Sequence, residues 1–148
     1  MTLLISACLL GCPCRFDGKS KTHPAAEQLM RCHTLIPFCP EIYGGLPTPR
    51  PPAECRNGRV FNKNGEDVTE FYARGAAEAL RLAERFGCTA AVLKARSPSC
   101  GRGAIYDGTF TGTLVPGDGV TAALLKENGI PVYTEEELDA LLKGEDRP

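Results

Sequence analysis

The sequence predicts an α/β fold, in which a single Rossmann-like domain has a short, mainly parallel sheet flanked by helices and long site-forming loops. Short apolar runs alternate with segments of helical character, which is typical of parallel strands joined by crossovers. With 148 residues, one domain can bury roughly two-thirds of its unfolded surface without disulfide support. We expect this domain to cover residues 1–143, followed by a polar tail over residues 144–148.

Four apolar runs are the predicted strands, and they cover residues 3–7, 35–38, 90–95 and 131–133. The first is continuously apolar, as expected of a strand that is buried on both faces of a parallel sheet. Pro37 weakens the second prediction, because proline cannot donate a hydrogen bond to a neighbouring strand.

Four predicted helices separate or follow these strands, and they cover residues 24–30, 67–86, 118–126 and 134–142. The second is the clearest, because Asp67 and Glu70 have the spacing of a capping box and an apolar stripe follows them. Gly87 is the expected end of that helix, and Asp118 is the expected cap of the third.

Two segments are predicted to be irregular. Residues 40–65 are rich in Pro, Gly, Arg and Asn and have no periodic pattern. A loop of that length in a compact domain is uncommon and is often functional. Residues 105–110 are expected to form a small hairpin or turn.

Charge and hydropathy exclude two classes of partner. The formal net charge is −1 with basic residues scattered, so we expect no nucleic acid polymer as partner. No apolar run is long enough to span a bilayer, so we expect no membrane partner. Only seven residues precede Cys8, fewer than an export signal needs, which predicts a cytoplasmic protein with reduced thiols.

Three of the eight cysteines follow predicted strands. Cys8 and Cys39 come directly after the first and second strands, and Cys100 follows the third. Because the carboxyl ends of parallel strands share one edge of a sheet, these thiols are expected to form a cluster or metal site there. The alternative for any one of them, and for Cys8 in particular, is a buried thiol that packs as a small hydrophobic side chain.

The other cysteines give weaker signals. Cys12 and Cys14 are close to Cys8 but match neither the C-x-x-C pair of zinc ribbons nor a ferredoxin run, so whether either joins the site stays open. Three further cysteines have no motif context and are interpreted as packing or surface thiols: Cys32, Cys55 and Cys88.

Glu41 and Arg50 are candidate polar groups of the site. Glu41 follows Cys39 by two residues, so a general base is expected beside a metal-bound thiolate, although a solvated loop carboxylate is the alternative. Arg50 lies in a proline-rich segment and is a candidate clamp for a carbonyl or anionic ligand.

Lys94, Ser97 and Ser99 complete the candidate set. Lys94 lies late in a predicted buried strand, and an unpaired charge is rarely buried, so we expect it to neutralise a thiolate or carboxylate. Together with Arg50, it is a candidate substrate-binding residue. Ser97 and Ser99 flank a proline and are candidate hydrogen-bond donors to a substrate or to cluster sulfurs. The alternative for both serines is an ordinary turn.

Six motifs occur in order over nearly the whole chain, and they are ISACLLG (5–11), CRFDG (14–18), CPE (39–41), GGLPTPR (44–50), SPSCG (97–101) and IYDGTF (105–110). The chain in this respect resembles the domain of unknown function 523 family, which includes the bacterial thiouracil desulfurases. Phe16 stands where tyrosine is commoner in that family.

The resemblance implies a desulfidase with a [4Fe-4S] cluster held by three cysteines, so that one iron is open to the sulfur of a small thiolated substrate. By motif, Cys8, Cys39 and Cys100 are the implied ligands, and Glu41 is the implied acid–base residue. One serine of the 97–99 segment is the implied substrate contact.

Two other functions remain as alternatives. A sulfur-trafficking or Fe-S carrier protein needs the same thiols but has no need of Glu41. A structural zinc-binding domain without catalysis holds Zn in a closed site of four cysteines.

Overall fold

The computed structural model describes residues 1–138 and residue 142, in which helices connect the strands of the central sheet. In chain order the elements are β1 (Thr2–Ser6), α1 (Ala26–Cys32), β2 (Thr34–Phe38), α2 (Pro40–Tyr43), β3 (Ala53–Arg56), β4 (Arg59–Asn62), α3 (Thr69–Arg85), β5 (Ala90–Leu93), β6 (Ala104–Tyr106), β7 (Leu114–Pro116), α4 (Val120–Glu127) and β8 (Val132–Thr134). Short 3₁₀ helices at Ala7–Leu10 and Glu135–Glu137 follow β1 and β8.

The central sheet has four parallel strands in the order β2-β1-β5-β8, and this confirms the predicted fold class. In register, Leu3 of β1 lies opposite Leu35 of β2 on one side and Ala90 of β5 on the other. The chain leaves β1 toward β2 and later returns to its other side at β5. This reversal is a topological switch point, where open α/β sheets build their sites.

Both faces of the sheet are covered, which explains why the three central residues of β1, Leu3, Leu4 and Ile5, are all apolar. Leu4 packs on one face with Ala79 of α3 and Leu125 of α4. Leu3 and Ile5 point to the opposite face, where buried side chains of the first 3₁₀ helix, α1 and the end of the described chain lie: Leu9, Leu29 and Leu138. The core therefore holds β1 and β5 rigidly and leaves their carboxyl ends free to carry a site.

Two glycines allow α2 to pack directly against α3. A Cβ added to Gly75 of α3 would lie 1.9 Å from the carbonyl oxygen of Pro40. A Cβ added to Gly44, just after α2, would lie 2.0 Å from the carbonyl oxygen of Phe71. Only glycine permits this backbone approach, so the position of α2 is fixed by α3.

The predicted loop over residues 40–65 is not irregular throughout. It contains α2 and an antiparallel hairpin of β3 and β4. Asn57 and Gly58, at the hairpin's tip, both have positive φ, as a two-residue hairpin turn requires. Similarly, residues 105–110 only begin a hairpin, in which β6 pairs with β7.

Some helix limits also differ from the predictions. Gly119, rather than Asp118, is the cap residue of α4, because the Asp118 carboxylate accepts hydrogen bonds from Gly103 N–H and Lys126 Nζ instead. For the predicted helix over 134–142, Thr134 forms a capping box with Glu137 at the start of a 3₁₀ helix. Most of the rest of that segment, and the predicted tail at 144–148, lie outside the described residues.

Within the part of the chain that the structure describes, no helix has both the length and the apolar character needed to cross a membrane.

Candidate functional site

The carboxyl ends of β1, β2 and β5 open into a cavity of about 390 Å³. Cys8 lies in the 3₁₀ helix after β1, Cys39 directly follows β2, and Cys100 lies in the loop after β5. All three thiols line the cavity, so the structure brings together the cysteines singled out by their positions after strands. The other predicted site residues also line it: Glu41, Arg50, Lys94, Ser97 and Ser99.

Cys14 is a fourth thiol of the cavity, whereas Cys12 is exposed and outside the lining. The Cys39 Sγ atom donates a hydrogen bond to the Cys14 carbonyl oxygen at 3.9 Å. The same carbonyl accepts a second hydrogen bond, from the Arg50 guanidinium at 2.9 Å. Of the two extra thiols left open by the sequence, only Cys14 therefore lies at the site.

The environment of the thiols disfavours thiolates without a cationic partner. Burial raises the pKa of Cys100 to about 12, although the Ser99 and Ser6 hydroxyls oppose the shift. The hydrogen bond with Cys14, together with burial, also raises the pKa of Cys39. Because burial without a countercharge favours the neutral thiol, these sulfurs are suited to a bound metal centre that supplies the positive charge.

Glu41 is held by three side chains at the start of α2. Its Oε1 atom accepts hydrogen bonds from Arg50 Nε and from the Tyr72 hydroxyl, both at 3.0 Å. Its Oε2 atom accepts one hydrogen bond, from Ser99 Oγ at 3.0 Å. The Glu41 side chain is only 14% exposed, so it is a fixed carboxylate of the cavity wall rather than a solvated loop residue.

Ser97 and Ser99 form a directed pair of hydroxyls. Ser97 Oγ accepts hydrogen bonds from the backbone N–H groups of Ser99 and Cys100, so its own hydrogen is available to Ser99 Oγ at 2.9 Å. Ser99 in turn donates to Glu41. The loop is anchored at α4, since Thr121 N–H donates to the Ser99 carbonyl oxygen at 2.8 Å.

Arg50 and Lys94 line the cavity, but both are already paired with carboxylates. Arg50 is buried, and besides Glu41 its guanidinium donates to the Pro47 carbonyl and the Thr48 hydroxyl. Lys94 forms an ion pair with Glu135 at 2.9 Å. Their charges are therefore used to position carboxylates, and a role in direct substrate binding stays a prediction.

The donor set fits an iron–sulfur cluster better than a single ion. Among residues 1–138 and 142, no group of three or more His, Cys, Asp or Glu side chains is arranged to hold one metal ion. A cubic four-iron cluster has its ligands at separate corners, which calls for thiols spread around a cavity. Cys8, Cys39 and Cys100 follow three different strands and line one cavity, and Fe-S clusters are bound by cysteine thiolates.

Sequence reasoning missed two residues of the site. Tyr72 belongs to the apolar stripe that predicts α3, and the sequence gives it no further role, yet its hydroxyl donates a hydrogen bond to Glu41. A signal was present, because a buried tyrosine needs a partner for its hydroxyl. Ser6, the polar residue at the end of β1, lies with its Oγ atom 3.6 Å from Cys100 Sγ.

Comparisons with known proteins identify the family of this chain. Residues 3–137 match the model of the family described as 2-thiouracil desulfurase. A protein of Bacillus subtilis (strain 168), described as uncharacterized protein YbbK, is 42% identical over 150 residues, covering 95% of this chain and 99% of that protein.

The solved structure of the [4Fe-4S]-dependent thiouracil desulfidase TudS (DUF523Vcz) is also similar. It superposes on this chain with a TM-score of 0.91 at 46% sequence identity, and the superposition covers 97% of this chain and 96% of that structure.

Proposed function

The chain belongs to the 2-thiouracil desulfurase family, and on that premise we propose that it is a [4Fe-4S]-dependent desulfidase. Its substrate is a thiolated nucleobase or a similar small thiocarbonyl compound such as thiouracil. Water replaces the sulfur of the C=S group, so the products are the oxo compound and hydrosulfide. The family resemblance drawn from the sequence motifs is thereby confirmed.

One observation carries this proposal: a largely enclosed carboxylate lies in the same cavity as the cysteine thiols and is connected to the thiol of Cys100. Ser99 Oγ is 3.0 Å from Glu41 Oε2 and 3.5 Å from Cys100 Sγ. A pure sulfur carrier needs the thiols alone. The fixed carboxylate instead supports hydrolytic chemistry next to a metal centre.

We assign Cys8, Cys39 and Cys100 as the ligands of the cluster. When bound, a cluster with only three protein ligands supplies an iron with an open position, which acts as a Lewis acid toward the thiocarbonyl sulfur. Cys14 is placed beside this set as a cavity thiol rather than a ligand. The cavity of about 390 Å³ leaves room for a small heterocycle besides the metal centre.

Glu41 is assigned as the general base. An ionised carboxylate has about four lone-pair positions, two on each oxygen. Oε1 uses both for Arg50 and Tyr72, whereas Oε2 uses one for Ser99. The free position on Oε2 can therefore accept a proton from a water molecule as that water attacks the carbon of the C=S group.

The remaining polar residues keep this base in place. Arg50 balances the charge of Glu41 and ties it to the proline-rich segment. Ser97 directs its hydrogen to Ser99, and Ser99 directs its own to Glu41, so the pair can pass a proton to or from the base. Lys94 lies in the cavity wall, where its ion pair with Glu135 balances its charge.

We place the protein in the cytoplasm, as a single domain that acts on a small molecule. All eight cysteines are free thiols, which suits a reducing compartment. The net charge of −1 gives no attraction to a nucleic acid polymer.

The test is a desulfidation assay on protein purified without oxygen. Loss of the C=S absorbance of 2-thiouracil or 4-thiouracil should accompany release of hydrosulfide and appearance of uracil. Glu41→Gln should keep its iron and lose roughly 10²- to 10⁴-fold in rate, the usual range for a general base. Glu127→Gln, on the exposed end of α4, is the matched control and should keep full activity.

Two results would redirect the proposal. If Glu41→Gln retains the activity of the natural protein, Glu41 is not the base and a sulfur-carrier function gains support. If the protein binds zinc in a stable, colourless form and converts no thiobase, a structural zinc domain replaces the desulfidase.

A further inference from the structure

Ser6 is the last residue of β1 and is a buried residue of the cavity lining. Its hydroxyl oxygen accepts a hydrogen bond from the Lys94 backbone N–H at 2.9 Å. The same oxygen lies 3.6 Å from Cys100 Sγ, within hydrogen-bond range for the larger sulfur atom. The hydroxyl is thus held between a backbone donor and a cysteine sulfur.

Counting hydrogens separates Ser6 from Ser99, the other hydroxyl near this sulfur. Ser99 has one hydroxyl hydrogen, and the Glu41 carboxylate at 3.0 Å is a stronger and closer acceptor than Cys100 Sγ at 3.5 Å. Ser6 accepts from the backbone and has, among the described residues, only Cys100 Sγ as an acceptor for its hydrogen. The hydrogen of Ser6 is therefore directed at the sulfur.

We propose that Ser6 is a positioning residue that donates a hydrogen bond to the Cys100 thiolate and so tunes the cluster that this thiolate binds. This inference rests on the proposed function, in which Cys100 is a cluster ligand. It assigns Ser6 no contact with the substrate.

The hydrogen bond from Ser6 acts on the cluster by changing the electron density at the Cys100 sulfur. A hydrogen bond to a ligand sulfur withdraws electron density from it, so the sulfur donates less to iron. Hydrogen bonds to the sulfurs are among the factors that set cluster reduction potentials, and less donation raises the potential. The same change makes the iron a stronger Lewis acid toward a thiocarbonyl sulfur. Ser6 therefore favours substrate polarisation without acting on the substrate.

The test compares Ser6→Ala, Ser6→Thr and the control Ser20→Ala in protein loaded with cluster under anaerobic conditions. Ser20 lies in the loop before α1, outside the cavity lining. We expect Ser6→Ala to keep its iron, shift the midpoint potential to more negative values and lose about 10-fold in kcat/KM, as is typical for groups that orient metal ligands. Ser6→Thr restores a hydroxyl and should restore the potential, and Ser20→Ala should match the natural protein.

An unchanged potential in an iron-loaded Ser6→Ala protein would overturn the inference, even if stability or activity fell, because a merely structural serine leaves the potential alone. If Ser6→Ala does not fold, the Fe–S stretching bands of the natural protein in H₂O and D₂O decide. A shift on exchange supports hydrogen bonding to the ligand sulfurs, and no shift overturns it. Absence of iron from the natural protein would instead overturn the proposed function.

Discussion

The Tyr72 hydroxyl donates a hydrogen bond to Glu41 Oε1 at 3.0 Å and thereby joins α3 to the carboxylate at the start of α2, which we propose as the general base. Burial raises the pKa of Tyr72, and the negative charge of Glu41 adds to the shift, so the phenol remains protonated at any working pH. Because the Tyr72 side chain is fully buried where α3 packs on its neighbours, its hydroxyl is a rigid support for the carboxylate.

Removing the Tyr72 hydroxyl should slow catalysis without loss of iron. In Tyr72→Phe, Oε1 keeps only Arg50, so Glu41 can rotate away from the attacking water. We expect kcat to fall about 10-fold, KM to stay within a factor of two, and stability to drop by about 1 kcal/mol, the usual value of a hydrogen bond. Steady-state kinetics and iron content measure this, with the exposed Tyr43→Phe as control. A raised KM at constant kcat would contradict a role in holding the base.

Gly75→Ala should destabilise the protein, although alanine is the better helix former. In an open helix position the change would stabilise by roughly 0.5–1 kcal/mol. Here the added Cβ would lie 1.9 Å from the Pro40 carbonyl oxygen, so α2 must move away from α3. We expect a net loss of about 1–3 kcal/mol, typical of overpacking, measured by urea unfolding.

Ala77→Ser, on the exposed face of the same helix, is the control and should change stability by less than about 0.5 kcal/mol. Because Glu41 moves with α2, Gly75→Ala should also lower kcat. A more stable and fully active Gly75→Ala protein would show that the helices are not held in contact at this glycine.

Replacing single cysteines should separate ligands from bystanders. Cys8→Ser, Cys39→Ser and Cys100→Ser should each lose most of the iron, because two thiolates hold a cluster poorly. Cys12→Ser, at an exposed thiol outside the cavity, should keep it. Iron and sulfide are measured on each variant after anaerobic reconstitution. Cys14→Ser should also retain iron, and loss of iron there would make Cys14 a ligand.

Asp67 makes stability depend on pH in the acid range. Its pKa is lowered from 3.8 to about 2, first by the Thr69 hydroxyl and then by Arg59. Because the folded pKa lies below the unfolded one, the stabilisation is complete above about pH 5 and is lost as the pH falls toward 2. Asp67→Asn should therefore lower the urea midpoint at pH 6 and have a smaller effect at pH 3.

Thr69→Ala removes the hydroxyl that contributes most to the lowered pKa of Asp67. We expect this variant, like Asp67→Asn, to have a urea midpoint further below that of the natural protein at pH 6 than at pH 3. If the difference between Asp67→Asn and the natural protein is the same at both pH values, Asp67 contributes through packing or the helix start rather than through its charge.

The sequence alone predicted the parallel sheet and the three cysteines that follow its strands. The short apolar run over residues 3–7 predicted a strand buried on both faces, and parallel strands bring Cys8 and Cys39 to one edge without any knowledge of the loops. Cys100 could be placed there for the same reason, although six residues separate it from the end of β5.

The partners of Glu41 could not be predicted, because they come from distant segments with no local pattern. The sequence predicted that Arg50 binds a carbonyl or anionic ligand. In the structure, its buried guanidinium donates a hydrogen bond to Glu41 instead. The contact with Tyr72 depends on how closely α2 approaches α3, which Gly75 decides and helical periodicity does not show. The hairpin of β3 and β4 could have been predicted, because Asn57-Gly58 is a typical two-residue hairpin turn. The composition of the surrounding segment favoured a loop instead.

Iron and acid-labile sulfide content, with a visible spectrum, on protein purified without oxygen is the most direct test of a cluster in this cavity. We expect about four iron and four sulfide per chain and a broad absorption band near roughly 400 nm, as thiolate-bound [4Fe-4S] clusters show. One zinc per chain with no iron and no colour would contradict the cluster assignment, and the hydrolysis assigned to Glu41 would have no metal centre to act beside.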